Sequence, residues 1–328
     1  MAQHGSMTGP SVKIDVKEDY CEGYKWIHKK PRCLERANES SLLESTEWAY
    51  KYRRCGDSMQ SPIHIHFMYS RYLPFEPMQF VGFEEATTFI IENGGNAVYM
   101  TAKDATVSVF GGPLSVRYNI SKAVFHLGYQ DQPGSEHRID DNEYAAELQI
   151  LLSSVKPTPT VCLDSSVGVV MMCILFKESE RDNPHLKPFI DATTFIRDFR
   201  GATVEATFPM RYLMPRSAKY YYVYQGSLTF PPCTSGLPVM VFTSTVPIGK
   251  SQLDKLRSNL YISLGYCIYK MAGQLRETAA LSGRPILRSF MFMDSSVVKV
   301  QHGPVQFVIV FLDVLLLIYL RTSFDVMM

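Results

Sequence analysis

The residues with the types and spacing for chemistry cluster around the tetrad Gly134-Ser135-Glu136-His137, which sits in a polar connection between two apolar segments. The connection is rich in turn formers: Gly128, Gln132-Pro133-Gly134 and Asp140-Asp141-Asn142. The flanking segments, Ser121–Leu127 and Tyr144–Leu152, read as two strands of a hairpin. Side chains at i and i+2 of a strand share a face, so Val124 and His126 point one way, and Glu147, Gln149 and Leu151 line one face of the next strand. Such a hairpin can present three ligands to one ion. A catalytic zinc needs three nitrogen, sulfur or carboxylate donors and an open position for water, whose pKa then falls to about 7. Valine has no donor atom, and a carboxamide oxygen is a poor zinc ligand beside a neutral imidazole. His126 is the single imidazole among Val124, His126 and Gln149.

The segment FHLGYQDQPGSEHRIDDNEYAAEL resembles the zinc hairpin of the α-carbonic anhydrases, whose pattern is H-x-H-W-G, a short loop, G-S-E-H, then A-E-L-H-L-V-H. The resemblance places the three zinc-ligand positions at Val124, His126 and Gln149, so it implies a site that has lost two of its imidazoles. YYYVYQGSLTFPPC (Tyr220–Cys233) is similar to the family's Y-W-T-Y-x-G-S-L-T-T-P-P. The family's first threonine accepts a hydrogen bond from zinc-bound hydroxide and passes its own proton to the GSEH glutamate, roles that the resemblance gives to Thr229 and Glu136. Phe230 replaces the second threonine and is expected to intrude on the former substrate pocket. Gly95, in the turn Asn93-Gly94-Gly95-Asn96, stands where the family carries a proton-shuttling histidine. Glu147 keeps a position beside the ligands.

Trp48-Ala49-Tyr50, Gln60-Ser61-Pro62-Ile63-His64-Ile65 and Gly283-Arg284-Pro285-Ile286-Leu287 extend the resemblance from about residue 48 to about 289. The fold it implies is mainly β (α+β): a single domain on a large, mostly antiparallel twisted central sheet with short peripheral helices. It also implies a disulfide between Cys55 and Cys233. Periodicity adds a fully buried strand over Val167–Phe176 and another over Val239–Phe242. It also predicts an amphipathic helix over Ser251–Tyr261 with Leu253, Leu256 and Leu260 on one stripe, and a short helix within His185–Arg200.

Lys+Arg 33 against Asp+Glu 32 leaves no global field, which argues against non-specific nucleic-acid binding. The 46% apolar content is that of a chain with a sizeable core. Seven cysteines include no CxxC pair, so a thiolate metal module is not expected. Cys21 and Cys33 are a second candidate bridge. Met1–Tyr20 is polar and lacks the apolar core of a signal peptide, whereas the sequons at Asn38 and Asn119 are compatible with a lumenal route. The organisation expected is an N-terminal arm over 1–45, the domain over 46–290, and a tail over 291–328. The apolar stretch 305–320 is a candidate membrane segment, with a cleaved anchor signal or a packed strand as rival readings. His64 and His66 alternate along a strand-like run and read as exposed strand residues without a third donor.

Within the family, the retained His126 and GSEH tetrad, Gln149 and the two motif cysteines resemble the secreted carbonic-anhydrase-related proteins most. That resemblance implies a non-catalytic, extracellular or cell-surface binding module with no cofactor, no nucleic acid, and a cell-surface protein partner of the neurexin kind. The competing expectation is a zinc-dependent carbonate dehydratase with non-standard ligation, drawing substitute donors from His64 or His137. A third class, adhesion to glycosaminoglycans, would use basic runs such as Lys51-Tyr52-Arg53-Arg54.

Overall fold

A computed structural model describes residues 48–94, 97–104, 107–128, 132–154, 168–197, 201–259, 261–264, 267–270 and 275–292. The chain separates into two compact units, Met1–Phe290 and Met291–Met328. Strands dominate the first. The main sheet runs, from edge to edge, through Thr203–Pro209, Ala86–Asn93, Val98–Ala102, Leu114–Leu127, Ala146–Ser154, Val169–Ser179, Ser235–Phe242, Tyr221–Ser227, Ile286–Arg288 and Ser70–Tyr72. Neighbours pair antiparallel except Val169–Ser179 with Ser235–Phe242 and Ile286–Arg288 with Ser70–Tyr72, which are parallel. The family-derived expectation of a large, mostly antiparallel sheet with few short helices is met.

The burial pattern follows each strand's sequence. Ala86–Asn93 alternates buried and accessible residues, so one face meets the core. Val169–Ser179 lies at the sheet's centre, and its run from Val170 to Phe176 is buried on both faces. A continuous apolar segment is what such a position requires. The helices cover one side. Lys250–Asn259 buries Leu253 and Leu256 completely, while the predicted Leu260 lies outside the described residues. Lys187–Thr193 follows a 3-10 turn over Pro184–Leu186 and buries Phe189 and Ile190. On its exposed side Asp191 pairs with Lys187 and with Lys255.

The organising hairpin departs from the sequence boundaries at both ends. Its first strand begins at Leu114 rather than Ser121, because a register shift at Ile120–Lys122 breaks the alternation there. The Ser121 hydroxyl donates to the Leu151 carbonyl at this bulge, 3.0 Å away. Its second strand begins at Ala146 rather than Tyr144. The Tyr144 carbonyl accepts the amides of Gly134 and Ser135 at 2.7 and 3.1 Å, so this residue belongs to the turn that shapes the tetrad. Asn119 is half-buried within the first strand, between Ser108 and Ser153 on its two neighbours.

Cys55 and Cys233 form a disulfide that closes a sequence separation of 178 residues. It joins the 3-10 turn Arg53–Gly56 to the segment after Tyr221–Ser227, and packs with Trp48, Tyr52 and Phe230. Among the described residues no helix is long and apolar enough to cross a membrane. The arm, Asn38, the Cys21 and Cys33 pair, and the 305–320 segment lie outside the described residues.

A bridge that closes so long a loop removes much of the unfolded chain's freedom. Replacing both Cys55 and Cys233 by alanine is therefore expected to lower stability by about 2–5 kcal/mol. Urea unfolding followed by tryptophan fluorescence measures the loss, and reduction of the wild-type chain reproduces most of it.

Candidate functional site

The hairpin register sets Val124 opposite Gln149 and His126 opposite Glu147. All four are buried, and Glu136, His137 and Thr229 close around them. The packing gives these polar groups almost no water, so each must find a protein partner or bear the cost of its desolvation, about 1–3 kcal/mol for a neutral group.

Glu147 finds the most. One carboxylate oxygen accepts the backbone amides of Glu136 and His137 at 2.9 and 2.8 Å. The other lies 2.7 Å from His137 Nδ1 and accepts from Gln149 Nε2 at 3.0 Å. A carboxylate only accepts, so His137 carries a proton on Nδ1. Its Nε2 then faces the Tyr224 hydroxyl at 2.8 Å, and Tyr224 meets the Ser61 hydroxyl at 2.7 Å. Burial alone would raise the Glu147 carboxyl, but the charge and hydrogen bonds of His137, together with the Gln149 amide, outweigh it and hold the group at about 2.

Gln149 is tied at both ends. Its amide nitrogen donates to Glu136 Oε2 at 2.7 Å as well as to Glu147, and its oxygen accepts the Thr229 hydroxyl at 2.7 Å. Thr229 therefore reaches Glu136 only through the carboxamide, rather than by the direct contact that the family's relay implies. The amide also keeps two buried carboxylates apart, where like charges would otherwise face each other in a poorly screened interior. Glu136 uses its second oxygen to accept the Arg276 amide at 3.0 Å.

His126 is different. Its Nε2 lies 3.6 Å from Glu136 Oε2, outside hydrogen-bond range, and neither ring nitrogen has a hydrogen-bond partner. Val124 beside it offers an isopropyl group. Across the register Val124 faces Tyr99, and Tyr99 meets the edge of Phe230 with ring centroids 6.5 Å apart. Phe230 packs on the Trp48 and disulfide cluster. Gly95 lies outside the described residues.

The substitute donors are committed elsewhere. Both His137 nitrogens face Glu147 and Tyr224, and His64 lies beside Asp141 in a small separate sheet. Cys173 comes close to His137 and Glu147, all three fully buried. Burial, then the Glu147 charge, pushes the Cys173 thiol up.

Arg276, Tyr224 and Ser61 are the members of this network that the sequence reading missed. The Arg276 guanidinium donates to the carbonyls of Ser61 at 2.9 Å, Cys55 at 2.9 Å and Leu228 at 3.4 Å. Ser61 and Tyr224 stand inside motifs whose family resemblance was legible. A lone arginine whose partners lie up to 221 residues away leaves no local signal.

A large, mostly antiparallel sheet that carries a GSEH turn between the paired strands Leu114–Leu127 and Ala146–Ser154 has the build of a carbonic-anhydrase scaffold. A sequence model of the eukaryotic-type carbonic anhydrase family matches residues 43–290, and the chain belongs to that family. Human carbonic anhydrase 7 is 29% identical over 252 residues, covering 75% of this chain and 94% of that protein. Human carbonic anhydrase 12 is 29% identical over 220 residues, 65% of this chain and 61% of that protein. The human receptor-type tyrosine-protein phosphatase zeta is 29% identical over 245 residues, 72% of this chain but only 10% of the phosphatase.

Glu147 has a carboxyl depressed from 4.5 to about 2 in the folded chain, so it contributes stability that is fully present above about pH 5. That contribution, about 3 kcal/mol, is expected to fade as pH falls from 4.5 toward 2. In Glu147→Gln the acid limb of the stability profile should flatten, read by urea midpoints at each pH. Gln149→Leu leaves Glu136 and Glu147 facing each other without the bridging amide, and should cost roughly 3–5 kcal/mol at pH 7 by the same measurement.

Proposed function

We propose that the protein is a non-catalytic carbonic-anhydrase-related module that acts by binding a cell-surface protein partner. The observation that carries this reading is the state of Gln149. At a ligand position its carboxamide is bonded to Thr229, Glu136 and Glu147, and coordination through its oxygen would give up the Thr229 bond. With Val124 at a second position, the hairpin offers one imidazole where a catalytic zinc requires three protein donors. These residues do not fit the ion. Without it, no group here acidifies a water molecule, and Thr229 and Glu136 have nothing to orient.

The scaffold itself favours recognition. Its core is fully buried, its disulfide suits an oxidising compartment, and its loops lie on the surface where binding residues are usually carried. A related domain within a receptor-type phosphatase places one such scaffold in a protein named as a receptor. An extracellular or membrane-anchored setting follows from this reading, with neurexins as the first partner class to try.

The test is the rate of carbon dioxide hydration by the full chain supplied with zinc. No acceleration over buffer is expected, together with saturable binding to an immobilised neurexin ectodomain. Metal-dependent, inhibitor-sensitive turnover would overturn the non-catalytic reading, and absence of binding would remove the neurexin assignment. Restoring both imidazoles, Val124→His with Gln149→His, should create a zinc site at His126, read as one further equivalent of bound metal over wild type. Hydration should stay slow even then, because Phe230 and Gly95 remain.

A further inference from the structure

A second group of metal-type donors lies outside the hairpin pocket. We propose that His64, His66 and Asp141 form a surface site for a divalent transition-metal ion of the zinc class, bound by two imidazoles and one carboxylate with water completing the shell.

The site is assembled by two elements. His64 and Ile65 pair in parallel with Arg138 and Ile139, a two-stranded sheet beside the main one. His66 continues the extended backbone, so the two imidazoles share a face and their ring centroids stand 3.9 Å apart. On the partner segment the chain turns back through Asp140 and Asp141, both with positive φ, at 45° and 63°. Asp140 fixes that turn from below: its amide donates to the Ile65 carbonyl at 2.9 Å, and its carboxylate accepts the Phe67 amide at 2.8 Å. Asp141 is thereby left at the surface, its carboxylate directed at the histidines. The sequence alone hides this third donor, which reaches the two histidines only across the parallel pairing.

The spacing fits an ion. His64 Nε2 lies 3.3 Å from Asp141 Oδ1, close to the edge of about 3.3 Å expected between two ligands 2.0–2.1 Å from a tetrahedral zinc. Ligand atoms from all three residues lie within 4.8 Å of one another, a span that one ion can bridge. His64 Nε2 accepts the Asp141 amide at 3.1 Å, so this nitrogen is the unprotonated one, and metal binding would exchange that hydrogen bond for coordination through the same lone pair. The neighbouring cation, Arg138, is paired with Glu143 at 2.5 Å, which offsets its repulsion of a metal. Two half-buried imidazoles and an exposed carboxylate leave solvent access for entry. Nitrogen-rich sets of this kind select zinc, copper or nickel over magnesium and calcium, which prefer oxygen.

Zinc alone is the probe, titrated calorimetrically into the full chain and into variants. Loss of an outer-shell partner commonly weakens binding 10–100-fold, so losing a direct ligand should weaken it by about tenfold or more. One equivalent is expected in wild type, lost in the double variant His64→Asn with His66→Asn. It should be weakened in Asp141→Asn, whose exposed side chain leaves the fold intact. His126→Leu should keep it. Unchanged stoichiometry and affinity in the histidine double variant would overturn the assignment, as would absence of zinc binding in wild type. Loss of the equivalent in His126→Leu would overturn it too, and would place the metal in the hairpin pocket instead.

Discussion

A single buried carboxylate sets the geometry of this domain's centre. Glu147 accepts four hydrogen bonds, from two backbone amides, an imidazole and a carboxamide. A charge in such a place is tolerable only when every lone pair is met, and the chain around it is shaped to meet them. The tetrad turn bends so that the amides of Glu136 and His137 aim at one oxygen. The central strands supply Gln149 and, directly across the register from it, Cys173, and Tyr224 closes the far end of His137. Removing one partner strands the others, and so the network is shared between segments distant in sequence.

That dependence also governs the side chains at the ligand-type positions of the hairpin. A zinc ion would contribute positive charge among Glu136, Glu147 and the ligands. In this chain the carboxamide of Gln149 stands between the two carboxylates as a neutral donor, and Thr229 satisfies its oxygen. The side chain at the ligand-type position of the second strand is thus the one that settles the local electrostatics. His126 has gained no such replacement, and it remains the one imidazole of the pocket with both nitrogens unpartnered.

Much of this was legible in the sequence because the signals were local. Alternation located the hairpin, continuous apolarity located Val169–Ser179, and spacing of Leu253 and Leu256 located a helix face. The disulfide was legible only through family resemblance at the two cysteine motifs. What escaped was non-local or irregular. The bulge at Ser121 hid the first half of the Leu114–Leu127 strand, since an extra residue inverts the alternation on which a strand is recognised. Tyr144 stands at the start of the expected strand, yet its carbonyl is spent on the turn. Asp141 belonged to an evident turn, but its meeting with His64 and His66 depends on a pairing that no window of sequence contains. Arg276 carried no pattern at all.

Arg276 also bears on how the protein is made. Its guanidinium holds the carbonyls of Cys55 and Ser61, and shortly after it Ile286–Arg288 inserts between Tyr221–Ser227 and Ser70–Tyr72. These contacts join chain made early in synthesis to chain made late, and loop closure over such spans is slow. At about 5–20 residues per second, a ribosome needs at least about ten seconds between completing Ser61 and releasing Arg276. Through that interval Ser70–Tyr72, at the edge of the sheet, is without the strand it pairs with, and its backbone groups stay open to water until Ile286–Arg288 arrives.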